Sequence, residues 1–413
     1  MSDVRPFRAL RPRPDLATRV AAPPYDVITS DEARVMAEGN EISFLHINKP
    51  EIDLPHEVDL YDDRVYATGV RNLRRFIAEG VFLRETSPSF YVYQQRMGEH
   101  VQAGIVCAAS CQEYADGLIK RHEFTRKDKE DDRTRHTHEL NANAGPVFLT
   151  YRQRPEIDAI VEGIRKGLTP VYDFVAPDGI AHTVWIVPPE QTGEVQKAFA
   201  TVPALYVADG HHRAASAARV GIERKAANFR HRGDEPYNYF LAVLFPHDQL
   251  RIMDYNRVVR DLNGLQPAQF LAKVEERFSV LKASDGRPEH VHCFGMFLGG
   301  KWYSLEAKPG SFPSADPVRS LDAAILQENL LAAVLGIADP RTDKRVDFIG
   351  GIRGLGELER RVKQGWAVAF SLHPVSLDQL MAVADAGLVM PPKSTWFEPK
   401  LRSGLLVRTL DAW

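Results

Sequence analysis

The chain has 413 residues, 44% hydrophobic and 26% charged, which allows two or three cored domains and excludes a disordered or fibrous class. A formal net charge of -3 excludes a general attraction to nucleic acid or anionic membranes, so any anionic ligand has to be held by a built site. Cys107, Cys111 and Cys293 are too few for a disulfide framework, and no apolar run approaches a membrane span, so the chain reads as cytoplasmic with no membrane partner.

In chain order, Pro23 and Pro24 force an extended approach that presents Tyr25 and Asp26 on a rigid loop, and Ser30 or Asp31 caps a following helix. Residues 42–48 are strand-like, 59–79 carry apolar positions at helical spacing, and 89–94 with 101–111 form a hairpin turning at Gly98-Glu99. Even spacing places Cys107 and Cys111 on one face of that strand, as core rather than metal ligands. The charged run from Lys127 is a solvated helix ending near Asn141 to Pro146, with Gly145 as its C-cap.

Alternation continues with a strand at 146–151, a helix at 155–167, a hairpin around Asp178-Gly179, a helix at 189–200 and strands at 205–209 and 237–245. The pattern changes near residue 260, which divides the chain into domains 1–260 and 261–413. The second is a smaller α+β module, with a hairpin at 291–306, a helix over 320–335, strands near 346–350 and 367–372, and helices at 356–364 and 377–386.

Chemistry concentrates in four places. The densest is Asp209-Gly210-His211-His212-Arg213, between a short apolar strand and a helix. Such a junction exposes free N–H groups at the positive end of the helix dipole, where an anion can sit. Asp209 can cap the helix, Gly210 allows close backbone approach to a ligand, and Arg213 offers a forked donor to phosphate or carboxylate. The second is Lys120-Arg121-His122-Glu123, directly after a strand, and the third is Tyr25-Asp26. The fourth is a proline-fixed loop bearing Lys393, Ser394, Thr395 and Lys400, without the upstream glycines of a P-loop.

These boxes, Pro24-Tyr25-Asp26-Val27-Ile28, Lys120-Arg121-His122-Glu123, Asp209-Gly210-His211-His212-Arg213 and Met390-Pro391-Pro392-Lys393-Ser394-Thr395 through Lys400, resemble the hallmarks of the domain-of-unknown-function 1015 family. The central box is also similar to that of the ParB/sulfiredoxin-like superfamily, which includes free-serine kinases. The resemblance implies an α+β fold with a ParB/sulfiredoxin-like mixed α/β core, and a nucleotide-dependent phosphotransferase acting on a small hydroxyl substrate such as serine. It further implies ATP or ADP with Mg2+ as cofactors. In that reading Asp209, His211, His212, Asp26 and Glu123 carry catalysis. Gly210, Arg213, Tyr25, Lys120, Arg121, His122, Lys393, Ser394 and Thr395 bind the nucleotide, and Asp209 holds the metal. The residues also leave open a metal-dependent hydrolase built on Asp209, His211, His212 and His122, or a nucleotide-binding regulator without turnover. The partners are then a small-molecule substrate and a nucleotide, with nucleic acid disfavoured and the oligomeric state open.

Overall fold

The computed structural model describes residues 2–411. Chain contacts divide it into two compact units: the chain up to Leu250 together with the segment from Pro399 onward, and Arg251–Glu398. The return of the C-terminal segment to the first unit is a discontinuity that a single cut near residue 260 does not contain.

The first unit is mixed α/β. Its strands β1 (Tyr91–Met97), β2 (His100–Ser110), β3 (Ile119–Lys120), β4 (Val147–Tyr151), β5 (Tyr172–Val175), β6 (Ala181–Ile186), β7 (Leu205–Asp209) and β8 (Tyr239–Pro246) lie in the order β3-β7-β4-β8-β2-β1-β6-β5. A short ninth strand, Val4–Arg5, pairs with β2. The pairs β3·β7 and β4·β8 are parallel, whereas β7·β4 and β8·β2 are antiparallel. Its main helices are α1 (Asp63–Ala78), α2 (Lys127–Leu140), α3 (Pro155–Gly167), α4 (Thr192–Phe199) and α5 (His211–Ala227).

Strands β4 and β8 are buried along their whole length, which fits their unbroken apolar runs, Val147-Phe148-Leu149 and Phe240-Leu241-Ala242-Val243-Leu244-Phe245. Ile157, Val161 and Ile164 of α3, Val195 and Phe199 of α4, and Ala214, Ala217 and Ala218 of α5 join Ile105, Leu149, Val207 and Leu244 of the sheet in one core. The alanine face lets α5 approach closely. At Gly221 the approach is tightest: a Cβ there would lie 2.6 Å from the Tyr237 carbonyl oxygen. A second core gathers Phe44, Phe76, Phe82 and Leu10 with Val407 of the returning segment.

The second unit is built on an antiparallel sheet. Its strands β9 (Tyr255–Val259), β10 (Phe278–Lys282), β11 (Cys293–Leu298), β12 (Lys301–Ala307), β13 (Val346–Gly350) and β14 (Val368–Leu372) run in the order β10-β12-β11-β14-β9-β13. Phe270, Phe294, Leu305, Leu326 and Phe370 form its core. The two ends of this unit meet, since Ile252–Met253 pairs antiparallel with Trp396–Phe397 and the Glu398 N–H donates to the Arg251 carbonyl at 3.3 Å.

Several local expectations are corrected. Residues 42–48 contain the helical turn Leu45–Asn48, tied by the Phe44 N–H to the Val20 carbonyl, rather than a strand. Thr29, not Ser30 or Asp31, caps Ser30–Ala37, with Glu32 completing a capping box. Cys111 opens the short helix Cys111–Ala115, so the cysteines do not share a strand face. The C-cap of α2 is Asn141 at φ 52°, a residue that tolerates the left-handed region, and not Gly145. The helix foreseen over 320–335 is α-helical only at Asp322–Leu326 and continues as a π-turn over Gln327–Ala332.

Candidate functional site

The central box sits where β7 ends and α5 begins. Gly210 occupies the cap position at φ +90°, in the left-handed region, and no side chain caps the helix. The capping role expected of Asp209 is therefore corrected: its carboxylate turns to two cations instead. A Cβ on Gly210 would lie 3.0 Å from the Arg213 guanidinium carbon, so glycine here makes room for Arg213 as well as for the turn.

Arg213 is buried, at 8% exposure, and it is a clamp rather than a free donor. One terminal nitrogen donates to the Pro146 carbonyl; the other donates to Asp209 Oδ2 at 3.0 Å and lies 3.6 Å from Asp26 Oδ2. Lys400 Nζ, from the returning segment, donates to Asp209 Oδ1 at 3.3 Å. Burial alone would push the Asp209 carboxyl up, but Lys400 and Arg213 pull it down to about 2. A carboxylate so engaged is a weak base, and both of its oxygens are committed.

His211 opens α5 and lies against His122, ring centroids 4.5 Å apart and edge to face. Both imidazoles are buried. Burial pushes His122 down to about 4, against a hydrogen bond with the Val207 backbone that favours the charged form. Burial and the neighbouring His122 hold His211 well below the ordinary histidine range. Both rings are neutral at pH 7. Glu123 completes a cluster: its Oε2 lies 3.9 Å from His211 Nδ1, and one ligand atom each of His122, Glu123 and His211 falls within 4.8 Å of the others. His212 Nε2 accepts from the Arg126 N–H at 3.1 Å, which ties the start of α2 to the start of α5.

The remaining candidates divide. Tyr25 packs its ring under the Arg133 guanidinium, 4.2 Å from the centroid, and lines a small polar cavity with Asn48, Arg133, His136, Arg213 and Ser216. Lys120 lies 5.8 Å from the Tyr206 ring centroid, and the exposed Arg121 stacks on Tyr114 at 4.9 Å. Lys393, Ser394 and Thr395 belong to the second unit, where Lys393 sits at φ +57° with its carbonyl accepting from Arg257 and the Ser394 hydroxyl donates to the Pro391 carbonyl at 2.6 Å.

Lys400 stands in the proline-fixed box without a binding role implied by the resemblance, and neither Arg126 nor Arg133 is a site residue in that reading. Lys400 was visible in its proline-rich box. Arg126 and Arg133 were concealed in an alternating charge run of the kind a solvated helix also produces.

The fold and the site together define a mixed α/β protein with a charged strand-to-helix junction inside its larger unit. The chain belongs to the family described as "Protein of unknown function (DUF1015)", whose model matches residues 4–324. No curated protein matches. Among solved structures the chain is similar to a free serine kinase in complex with AMP, at 12% identity and a TM-score of 0.36, covering 73% of this chain and 92% of that one. It is also similar to C-terminally truncated SbnI from Staphylococcus aureus, at 12% identity, a TM-score of 0.38 and coverages of 74% and 87%. A conserved hypothetical protein from Pyrococcus furiosus aligns at 11% identity, a TM-score of 0.35 and coverages of 75% and 97%. Overlaps at this level carry no correspondence of residues. Among the described residues no helix is long and apolar enough to cross a membrane.

Proposed function

We propose that the junction binds the phosphates of a nucleotide, ATP or ADP, and transfers a phosphoryl group to a small hydroxyl substrate of the serine kind. The observation that carries this reading is the convergence, on one helix N-terminus without a side-chain cap, of Asp26, His122-Glu123, Asp209 to Arg213 and Lys400, groups up to 374 positions apart in the sequence. Phosphoryl transfer asks for positioning and neutralisation of charge more than for covalent chemistry, and this junction supplies both.

The free N–H groups of the first turn of α5 and the Lys400 ammonium receive phosphate oxygens. Arg213 holds Asp209 and the turn in place from below. Asp26, exposed and 3.6 Å from Arg213, accepts the hydroxyl proton in this reading. Two cations, Arg213 and Lys400, already lie on Asp209 and repel a divalent ion, so Mg2+ does not fit there.

The reading is tested by thermal shift with ATP, ADP and CTP, followed by mass spectrometry for phosphoserine after incubation with serine. Stabilisation by a nucleotide and formation of phosphoserine are expected; absence of both refutes the proposal. In a chain that binds, Lys400→Met should weaken nucleotide affinity about tenfold, roughly 1.4 kcal/mol, with the far-UV circular dichroism unchanged. Asp26→Asn should lower kcat and leave nucleotide affinity within about twofold, a small fraction of the 1.4 kcal/mol that marks a tenfold change.

A further inference from the structure

His122, Glu123 and His211 converge at the junction, but no phosphate-binding or proton-transfer role above falls to their side chains. They come from two elements: the loop after β3 supplies an imidazole and a carboxylate, and the first residue of α5 supplies the second imidazole.

We infer that His122, Glu123 and His211 form a binding site for a divalent first-row transition metal of the Mn2+ to Zn2+ series. Two imidazoles and one carboxylate, with the remaining positions open, suit such ions, whereas Mg2+ selects oxygen ligands. One ligand atom from each of the three residues lies within 4.8 Å of the others, close enough for the three to turn on a common point.

Two further observations point to a ligand. The His211 side chain is only 6% exposed and its Nε2 has no hydrogen-bond partner, a costly state for a buried imidazole. His122 hydrogen-bonds the Val207 backbone, the kind of outer contact that fixes the tautomer and orientation of a metal-binding imidazole. Glu123 is only partly buried, so the site opens on the side of the carboxylate. Asp209, the metal ligand expected from the sequence, is not needed here.

This site is held by protein atoms alone and does not depend on the nucleotide reading. The full chain, stripped with EDTA and dialysed, is titrated with Co2+ in the absence of nucleotide, with visible absorption as the readout. A parallel sample is loaded with Zn2+, dialysed and assayed for metal by mass spectrometry. One equivalent of retained Zn2+ and a Co2+ ligand-field band are expected, and Glu123→Gln should weaken Co2+ binding at least tenfold while the thermal midpoint of the metal-free protein stays unchanged. Because His211 is buried, His211→Asn is judged only if its circular dichroism is native, and it too should lose the band. No band and no retained Zn2+ in the native chain, or undiminished binding in Glu123→Gln, overturns the inference. Nucleotide thermal shifts on the same EDTA-treated protein separate its failure from that of the phosphotransfer proposal.

Discussion

Arg213 holds three groups at once, the Asp209 carboxylate, Asp26 and the Pro146 carbonyl, and does so while buried. Removing it leaves the Pro146 carbonyl without its donor and Asp209, partly exposed, with Lys400 alone, which costs about 1–3 kcal/mol. Arg213→Ala is therefore expected to lower stability by that order, read as a shift of the urea midpoint; a variant as stable as the native chain would show that the clamp is idle. Arg213→Lys should not rescue it, because a point ammonium cannot reach three partners in the directions a planar guanidinium does.

Buried histidines outside the junction add to the acid limb that His122 and His211 also shape. Burial, with Arg133 nearby, pushes His136 down to about 3, and burial with Arg402 nearby does the same for His182. Each is neutral when folded, so between about pH 6.5 and pH 3 the unfolded chain binds the extra proton. Their contribution is complete above pH 6.5 and is lost as pH falls through that window. A thermal midpoint that declines steadily from pH 6.5 to pH 4 is expected, with a shallower slope in His182→Gln. An unchanged slope in a folded His182→Gln protein would remove His182 from this account.

At the scale of elements, helix α5 is positioned by small residues. Its buried face is Ala214, Ala217, Ala218 and Gly221, and the Gly221 backbone passes close to the Tyr237 carbonyl. Gly221→Ala puts a methyl 2.6 Å from that oxygen and should cost about 1–3 kcal/mol despite the better helix propensity of alanine. The displacement would be felt at the other end of the same helix, so nucleotide affinity should fall together with the melting temperature. A stabilised Gly221→Ala protein would mean that helix propensity outweighs the contact.

At the scale of the whole molecule, the second unit begins and ends on one antiparallel ribbon, Ile252–Met253 against Trp396–Phe397. Replacing residues 251–398 by a short Asn-Gly turn should leave the first unit folded, because its ends are already adjacent. By contrast, deleting everything from residue 399 onward should unfold it. That segment supplies Arg408, buried and donating to the carbonyls of Tyr239 and Pro236, and Val407 in the second core. Circular dichroism and cooperative melting of the two truncated chains check both statements.

What the sequence determined by itself are the features governed by neighbours along the chain. Periodicity located α3, β4, β7 and the hairpin of β1 and β2. Residue type marked Asp26, His122, Glu123 and Asp209 to Arg213 as chemically dense, and the structure brings these together. Local patterns misjudged residues 42–48, where the chain turns back on Val20, and Cys111, where a strand gives way to a helix. Only the tertiary structure decided which charges face which. It placed Lys400 on Asp209 from 191 positions away and buried Arg213 as a clamp. It also set His211 beside His122 and Glu123. Such pairings depend on sheet order and on the return of the C-terminal segment. Neither leaves a periodic trace in the sequence, because a charged side chain reads the same whether its partner is water or a carboxylate brought in by the fold.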